Sequence, residues 1–88
     1  MNTDAVEIPL ASRYPETGSV RNLECDMEVR VVEGSVEFHA EGAVAVLSAG
    51  QTVSVPKGLT YFWVPRPTAT LHIASSPPWT RDQQQMVE

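Results

Sequence analysis

The feature that most constrains this chain is a series of short runs in which apolar and polar residues alternate. Met27, Val29 and Val31 alternate with charged residues, and a period of two places such residues on one face of a β-strand. Glycine and proline interrupt the runs every few residues, and no stretch shows a helical period. The sequence therefore predicts an all-β domain with strands near residues 27–32, 36–39, 43–47, 52–55, 61–64 and 68–74.

The runs divide the chain into three parts. Residues 1–19 contain Pro9, Pro15 and Gly18 and little periodicity, so they are predicted to form an N-terminal arm with at most a short strand near residues 6–10. Residues 20–80 are the predicted barrel. Residues 81–88 are a polar C-terminal tail, expected to be a frayed end or a short helix. Within the barrel, a turn is predicted at residues 33–35 and the end of a strand at residues 65–67.

Composition limits the possible partners. The 88 residues carry 6 basic and 11 acidic side chains, a net charge of −5, which argues against binding to nucleic acid or to an anionic membrane. The single cysteine, Cys25, excludes an internal disulfide and favours a cytoplasmic protein. A domain of this size buries only about 60% of its unfolded surface and is marginally stable alone. We therefore expect it to associate with itself as a homodimer.

The segment from Gly50 to Tyr61 resembles the second signature motif of the cupin superfamily. That motif has a glycine, a proline and a second glycine ahead of a metal-binding histidine, and Gly50, Pro56 and Gly58 stand at the matching spacing. Gly34 corresponds to the glycine that ends the first cupin motif. The resemblance covers roughly residues 20–80 and implies a small single-domain cupin, an RmlC-like jelly roll or double-stranded β-helix.

The resemblance fails at the metal-binding positions. Tyr61 stands where the family has its ligand histidine, and Met27 stands where it has a glutamate. The paired histidines of the first motif fall near residues 20–23, which read Val-Arg-Asn-Leu. The motifs are therefore degenerate, and we expect neither a metal nor another cofactor. A shift of one residue in register would instead turn Cys25 and Met27 outward and bring three carboxylates into the barrel, those of Glu24, Asp26 and Glu28.

If the resemblance holds at Met27 and Tyr61, the interior is apolar and aromatic. Alternate residues of the strands that contain Met27 and Tyr61 then face inward. Arg21, near the barrel mouth, would suit an anionic group of the ligand. The predicted ligand-binding residues are Cys25, Met27, Val29, Tyr61, Trp63 and Arg21. The alternative is that these side chains fill a small barrel to the density of an ordinary core.

Other side chains allow two interpretations each. His72 lies between Leu71 and Ile73, so it either faces the cavity as an acid or base beside Tyr61 or lies on the outer surface. Cys25 is a nucleophile or a buried structural residue, and its acidic neighbours favour the second. His39 and Arg66 are expected at the solvent surface. Trp79 is expected to pack against its own barrel or a second copy.

Three functions remain open. We favour a metal-free cupin that binds a small molecule of unknown identity and acts as a sensor, carrier or accessory protein. The alternative is an enzyme that uses Tyr61 and His72, an isomerase or epimerase, a nucleoside phosphorylase-like protein or a metal-dependent oxygenase. Whether the chain is catalytic stays undecided at this point. A third possibility is an interaction module whose arm, residues 1–19, adds a strand to a neighbouring sheet.

Overall fold

A computed structural model describes residues 4–76 and 84–87, and within them every regular element is a strand. The predicted all-β class is confirmed. The seven strands are β1 (Asp4–Leu10), β2 (Ser19–Asn22), β3 (Asp26–Ala40), β4 (Ala43–Ser48), β5 (Thr52–Val55), β6 (Tyr61–Ser76) and β7 (Gln84–Val87). The described residues contain no helix long and apolar enough to cross a membrane.

Two long antiparallel strands, β3 and β6, pair along almost their whole length and organise the sheet. The first half of β3 carries β5 on its other edge, while the second half carries β4. Strand β6 in turn pairs with β2 near its start and with β1 along its second half, and β7 pairs with β2. The sheet therefore has two parts that share the β3–β6 ribbon.

The predicted turn at residues 33–35 is wrong, because Gly34 lies inside β3. The register with β6 shifts between Val31 and Glu33 and again between Gly34 and Val36, which marks irregular pairing within a continuous ladder. The shift moves the inward face from odd residues, such as Val31, to even residues, such as Val36, and both are fully buried. Glycine and serine are common both in turns and in β-bulges, so their presence at residues 34–35 did not distinguish the two.

The predicted end of a strand at residues 65–67 is also wrong, because β6 continues through Pro65 and Pro67 to Ser76. Pro65 is still the register partner of Val36, whereas residues 66–68 have no partner in this ladder, so Pro67 lies in the irregular segment. Ser35 Oγ donates a hydrogen bond to the carbonyl oxygen of Arg66 over 3.3 Å and ties the two irregular segments together.

The strand expected near residues 6–10 is present, whereas the C-terminal tail differs from the expectation. The arm contains a seven-residue strand, β1, which pairs with β6 of the same chain from Asp4↔Ser75 to Leu10↔Ala69. The tail forms β7, where a frayed end or short helix was predicted, because Gln84–Val87 finds a partner in β2. Trp79 lies outside the described residues, so its predicted packing stays a prediction.

The glycines of the two cupin-like motifs have structural roles. Gly50, Gly58 and Gly34 all have positive φ angles. The amide of Gly50 donates to the carbonyl oxygen of Val31 over 2.8 Å, and the amide of Gly58 donates to that of Asn22 over 2.7 Å. These hydrogen bonds attach the loops around β5 to β3 and to the end of β2, which positions Asn22 beside the barrel interior.

Candidate functional site

The inward faces of the strands build one apolar core, and the predicted register is the one observed. Cys25, Val29 and Val31 are fully buried, and Met27 is 7% exposed. Glu24, Asp26 and Glu28 lie on the exposed side. The alternative register, with carboxylates inside the barrel, is therefore not adopted.

Not all of the core is filled, because a cavity of about 290 Å³ lies against the inner faces of β1 and β6. Its volume is close to the lower limit of roughly 300 Å³ for pockets that bind small molecules. Its apolar wall consists of Val6, Ile8, Leu10, Met27, Trp63, Leu71 and Ile73, and its polar lining of Tyr14, Tyr61, Ser75 and Gln84.

Strand β1 supplies the wall that sequence reasoning missed. Val6, Ile8 and Leu10 alternate with polar or proline residues and stand opposite Ile73, Leu71 and Ala69 of β6. Val6 is 49% and Ile8 37% exposed although both line the cavity, so this part of the wall is accessible to solvent. The period of two in residues 6–10 was a usable signal, which the neighbouring prolines obscured.

Three aromatic rings pack together between β3 and β6, and two of them, Tyr61 and Trp63, line the cavity. The centroids of Phe38 and Trp63 are 4.5 Å apart, and those of Phe38 and Tyr61 are 5.8 Å apart. Tyr61 and Trp63 meet edge to face at 6.1 Å and 74°. Tilted contacts of this kind stabilise the packing of the rings. Trp63 also exchanges two backbone hydrogen bonds with Tyr14, of 2.8 and 2.9 Å, which place Tyr14 beside the cavity.

The polar cluster (Tyr14, Asn22, Tyr61 and Gln84) supplies the hydrogen-bonding groups. Tyr14 Oη donates to Gln84 Oε1 over 2.8 Å, and Asn22 Nδ2 donates to Tyr61 Oη over 3.4 Å. Asn22 and Tyr61 are 1% and 3% exposed. Burial raises the pKa of Tyr61 to about 12, although hydrogen bonds from the amides of Asn22 and Gln84 act in the opposite direction. Tyr61 is therefore a neutral phenol near pH 7.

The predicted ligand-binding residues separate into two groups. Met27, Tyr61 and Trp63 line the cavity. Cys25 and Val29 are buried without lining it, and burial together with the charge of Asp26 raises the pKa of the Cys25 thiol. Cys25 therefore lacks the electropositive setting that a nucleophilic thiolate needs.

The charged candidates lie away from the cavity. Arg21 donates to Gln85 Oε1 on β7 over 2.5 Å, and Arg66 lies 3.4 Å from a carboxylate oxygen of Glu37. Neither arginine contributes to the cavity lining, so the predicted anion-binding role of Arg21 has no support from its position.

The two histidines occupy the outer face. His72 stands between Glu7 and Arg30 in the ladder, and its neighbour Leu71 takes the inward position. His39 Nε2 lies 2.8 Å from Glu37 Oε1, and its ring stacks on Phe62 at 4.3 Å. His72 and Tyr61 are therefore on opposite faces of β6, and the structure does not bring the proposed acid–base pair together.

The donor set does not fit the metal that a cupin resemblance implies. Met27 and Tyr61 line the cavity at the expected ligand positions, and the neighbouring amide of Asn22 is engaged with Tyr61. No group of three His, Cys, Asp or Glu side chains converges in the described residues. A thioether, a neutral phenol and an amide are weak ligands for a divalent transition metal.

The comparisons with known proteins come from structure alone, since no protein-family model and no curated protein matches the sequence. Streptomyces PAC13 with uridine superposes with a TM-score of 0.87 at 13% identity, over 99% of this chain and 69% of that chain. A second structure of Pac13, which is described as a nucleoside dehydratase, superposes with a TM-score of 0.86.

A second likeness is to an RmlC-like cupin from Shewanella frigidimarina, with a TM-score of 0.75 and 25% identity over 92% of this chain and 70% of that chain. The Clostridium difficile EutQ protein follows the fold at a TM-score of 0.68 and 15% identity, over 83% of this chain and 55% of that chain. At these low sequence identities, the structural similarity is evidence for a shared fold.

Proposed function

We propose that this chain, which has the fold of a small cupin, binds a small uncharged aromatic or heterocyclic molecule in its barrel cavity and acts without a metal as a sensor, carrier or accessory protein. The observation that carries the proposal is a cavity with an apolar wall, formed largely by β1 and β6, and a lining of neutral hydrogen-bonding groups. Such a combination of apolar area and a few polar groups is typical of small-molecule sites.

The lining favours a neutral ligand. Among the described residues, no Asp, Glu, Lys, Arg or His side chain lines the cavity. A charged ligand placed there would lose its hydration without gaining a counter-ion, which is costly. Tyr14, Tyr61, Ser75 and Gln84 would instead hydrogen-bond to carbonyl, hydroxyl or ring-nitrogen groups.

The aromatic lining favours a flat ligand. Tyr61 and Trp63 line the cavity and pack against each other and against Phe38, so a ring that enters meets surfaces that are already ordered and loses little binding energy to rearrangement. The cavity of about 290 Å³ suits a molecule of one or two rings.

An enzyme acting on a nucleoside is the second candidate. It is favoured by the superposition of 99% of this chain on Pac13, which is described as a nucleoside dehydratase and has been solved with uridine. It is disfavoured by the positions of His39 and His72, which lie away from the cavity. A phenol with a pKa of about 12, such as Tyr61, is a poor base near pH 7.

Thermal unfolding in the presence of neutral and charged ligands tests the proposal. Uridine and a panel of uncharged aromatic and heterocyclic compounds are compared with charged counterparts, such as uridine 5′-monophosphate. A ligand at 100 times its Kd stabilises a protein by about 2.7 kcal/mol, which is about 10–20 °C for a domain of this size.

The expected result is stabilisation by at least one uncharged compound and none by its charged counterpart. No shift from any uncharged compound at millimolar concentration would contradict the binding proposal. Conversion of uridine to a new product, detected by mass spectrometry and lost in Tyr61→Phe, would establish the second candidate instead.

A further inference from the structure

The hydroxyl of Tyr61 occupies an unusual position within the polar cluster. Its side chain is 3% exposed and lines the cavity, and its oxygen accepts a hydrogen bond from Asn22 Nδ2. Asn22 does not line the cavity, so the amide approaches the phenol from behind the wall. The phenol therefore receives a proton donor on the side away from the cavity.

A phenol has one proton to donate and oxygen lone pairs that accept. The amide of Asn22 uses a lone pair of this oxygen, and the amide of Gln84 also acts on it; in the described residues no hydrogen bond has Tyr61 as its donor. Gln84 also lines the cavity, but its Oε1 already accepts a hydrogen bond from the hydroxyl of Tyr14 at 2.8 Å. Leaving a buried donor without an acceptor costs about 1–3 kcal/mol of stability, so a buried hydroxyl nearly always has an acceptor, from the protein, from water or from a ligand.

We propose that Tyr61 is the specificity-determining residue of the cavity and donates its phenolic proton to a carbonyl oxygen, or a similar neutral acceptor, on the bound ring. The inference rests on the proposed binding function and names the ligand class more narrowly, as cyclic ketones, lactams and related heterocycles. Asn22 is a positioning residue, since it orients the phenol by donating to its oxygen.

The other lining groups are less suited to this role. Tyr14 already donates its proton to Gln84, so it presents an oxygen to the ligand. Ser75 has a hydroxyl in the lining, but it lies at the opposite end of β6 from Tyr61. Ser54 is exposed on β5 and does not line the cavity, so Ser54→Ala removes a hydroxyl outside the binding site and serves as the control.

Two probes of nearly equal shape separate recognition of the carbonyl from general binding. The probes are 1-indanone and indane, and the measured quantity is the ratio of their dissociation constants from protein-observed NMR titrations. The cost of desolvating the ketone is the same for every variant, so it cancels when the ratios are compared. We expect Tyr61→Phe to weaken 1-indanone relative to indane by roughly 3- to 10-fold, the range for one net hydrogen bond, and Ser54→Ala to leave the ratio unchanged.

A measurement on the wild-type chain keeps the inference testable if Tyr61→Phe does not fold. The chain has two tyrosines, so isotope labelling at the tyrosine Cζ gives two resonances that report on the hydroxyl groups. Saturation with 1-indanone should shift the Tyr61 resonance, and indane should shift it much less.

The outcomes are distinct. Binding of both probes with a ratio that Tyr61→Phe leaves unchanged, or a ratio that falls as much in Ser54→Ala as in Tyr61→Phe, overturns the role of Tyr61 while the cavity remains a binding site. Equal shifts of the Tyr61 resonance by both probes also overturn it. If neither probe binds and the neutral panel gives no thermal shift, the proposed function itself fails.

Discussion

Replacement of Gly34 by alanine tests how the β3–β6 ribbon is built. Gly34 has a φ of +73°, a left-handed conformation that costs an L-residue about 1–2 kcal/mol. A Cβ at this position would also overlap the carbonyl oxygen of Thr68, which belongs to the backbone of β6 and cannot rotate away. Relieving such an overlap requires the strands to shift, which adds about 1–3 kcal/mol. We therefore expect Gly34→Ala to lower the free energy of unfolding by about 2–5 kcal/mol.

Gly42→Ala is the matched control for this prediction. Gly42 also has a positive φ, of +83°, but a Cβ there meets nothing within 4 Å. The control should lose only the conformational part, about 1–2 kcal/mol. Urea unfolding followed by circular dichroism measures both variants, with the slope of the transition compared to confirm that the denatured states are equivalent. Equal losses in the two variants would refute the claim that close approach of β3 and β6 excludes a side chain at Gly34.

Three further predictions concern the core and its titrating groups. Phe38→Ala removes the ring that contacts Trp63 and Tyr61 and should cost about 3–5 kcal/mol; a loss below about 1 kcal/mol in urea unfolding would show that the cluster is not well packed. The pKa of Tyr61 is raised from 10.0 to about 12, so the folded state keeps the proton that the unfolded state loses. Stability should therefore fall by about 2–3 kcal/mol as the pH rises from about 10 to 12, and a similar fall in Tyr61→Phe would contradict this origin. Cys25 is fully buried with a raised pKa, so a disulfide reagent should modify it only at the rate of unfolding; rapid stoichiometric labelling of the native protein would exclude that environment.

Much of the barrel could be predicted because alternation of apolar residues reports directly on which face of a strand is buried. The inward residues Met27, Val29, Tyr61 and Trp63 follow from parity, and the glycines of the cupin-like segment take the positive φ angles that their spacing suggests. Parity also separates His72 from Leu71, but it does not say which of them faces inward unless the register is known. The structure supplies the register.

The rest depends on contacts between residues distant in the chain. Glycine and proline signal a break in regular pairing, but they do not distinguish a turn from a bulge, and Gly34 and Pro65 lie in bulged strands. The polar cluster joins Tyr14 to Gln84, seventy positions away. Nothing in the local sequence around Gln84 indicates a strand, since its strand propensity is low and its partner in β2 determines its conformation.

The central claim is that the cavity lined by β1 and β6 is a ligand-binding site, and isothermal titration calorimetry of two tryptophan variants tests it most directly. Ile8→Trp places a large side chain at the accessible wall of the cavity, while Val46→Trp makes the same kind of change on β4, where Val46 is 53% exposed and does not line the cavity. With the neutral compound that gives the largest thermal shift, we predict that Ile8→Trp weakens binding at least about tenfold and that Val46→Trp binds as the wild type does. Equal affinity in both variants would place the binding site elsewhere and contradict the account.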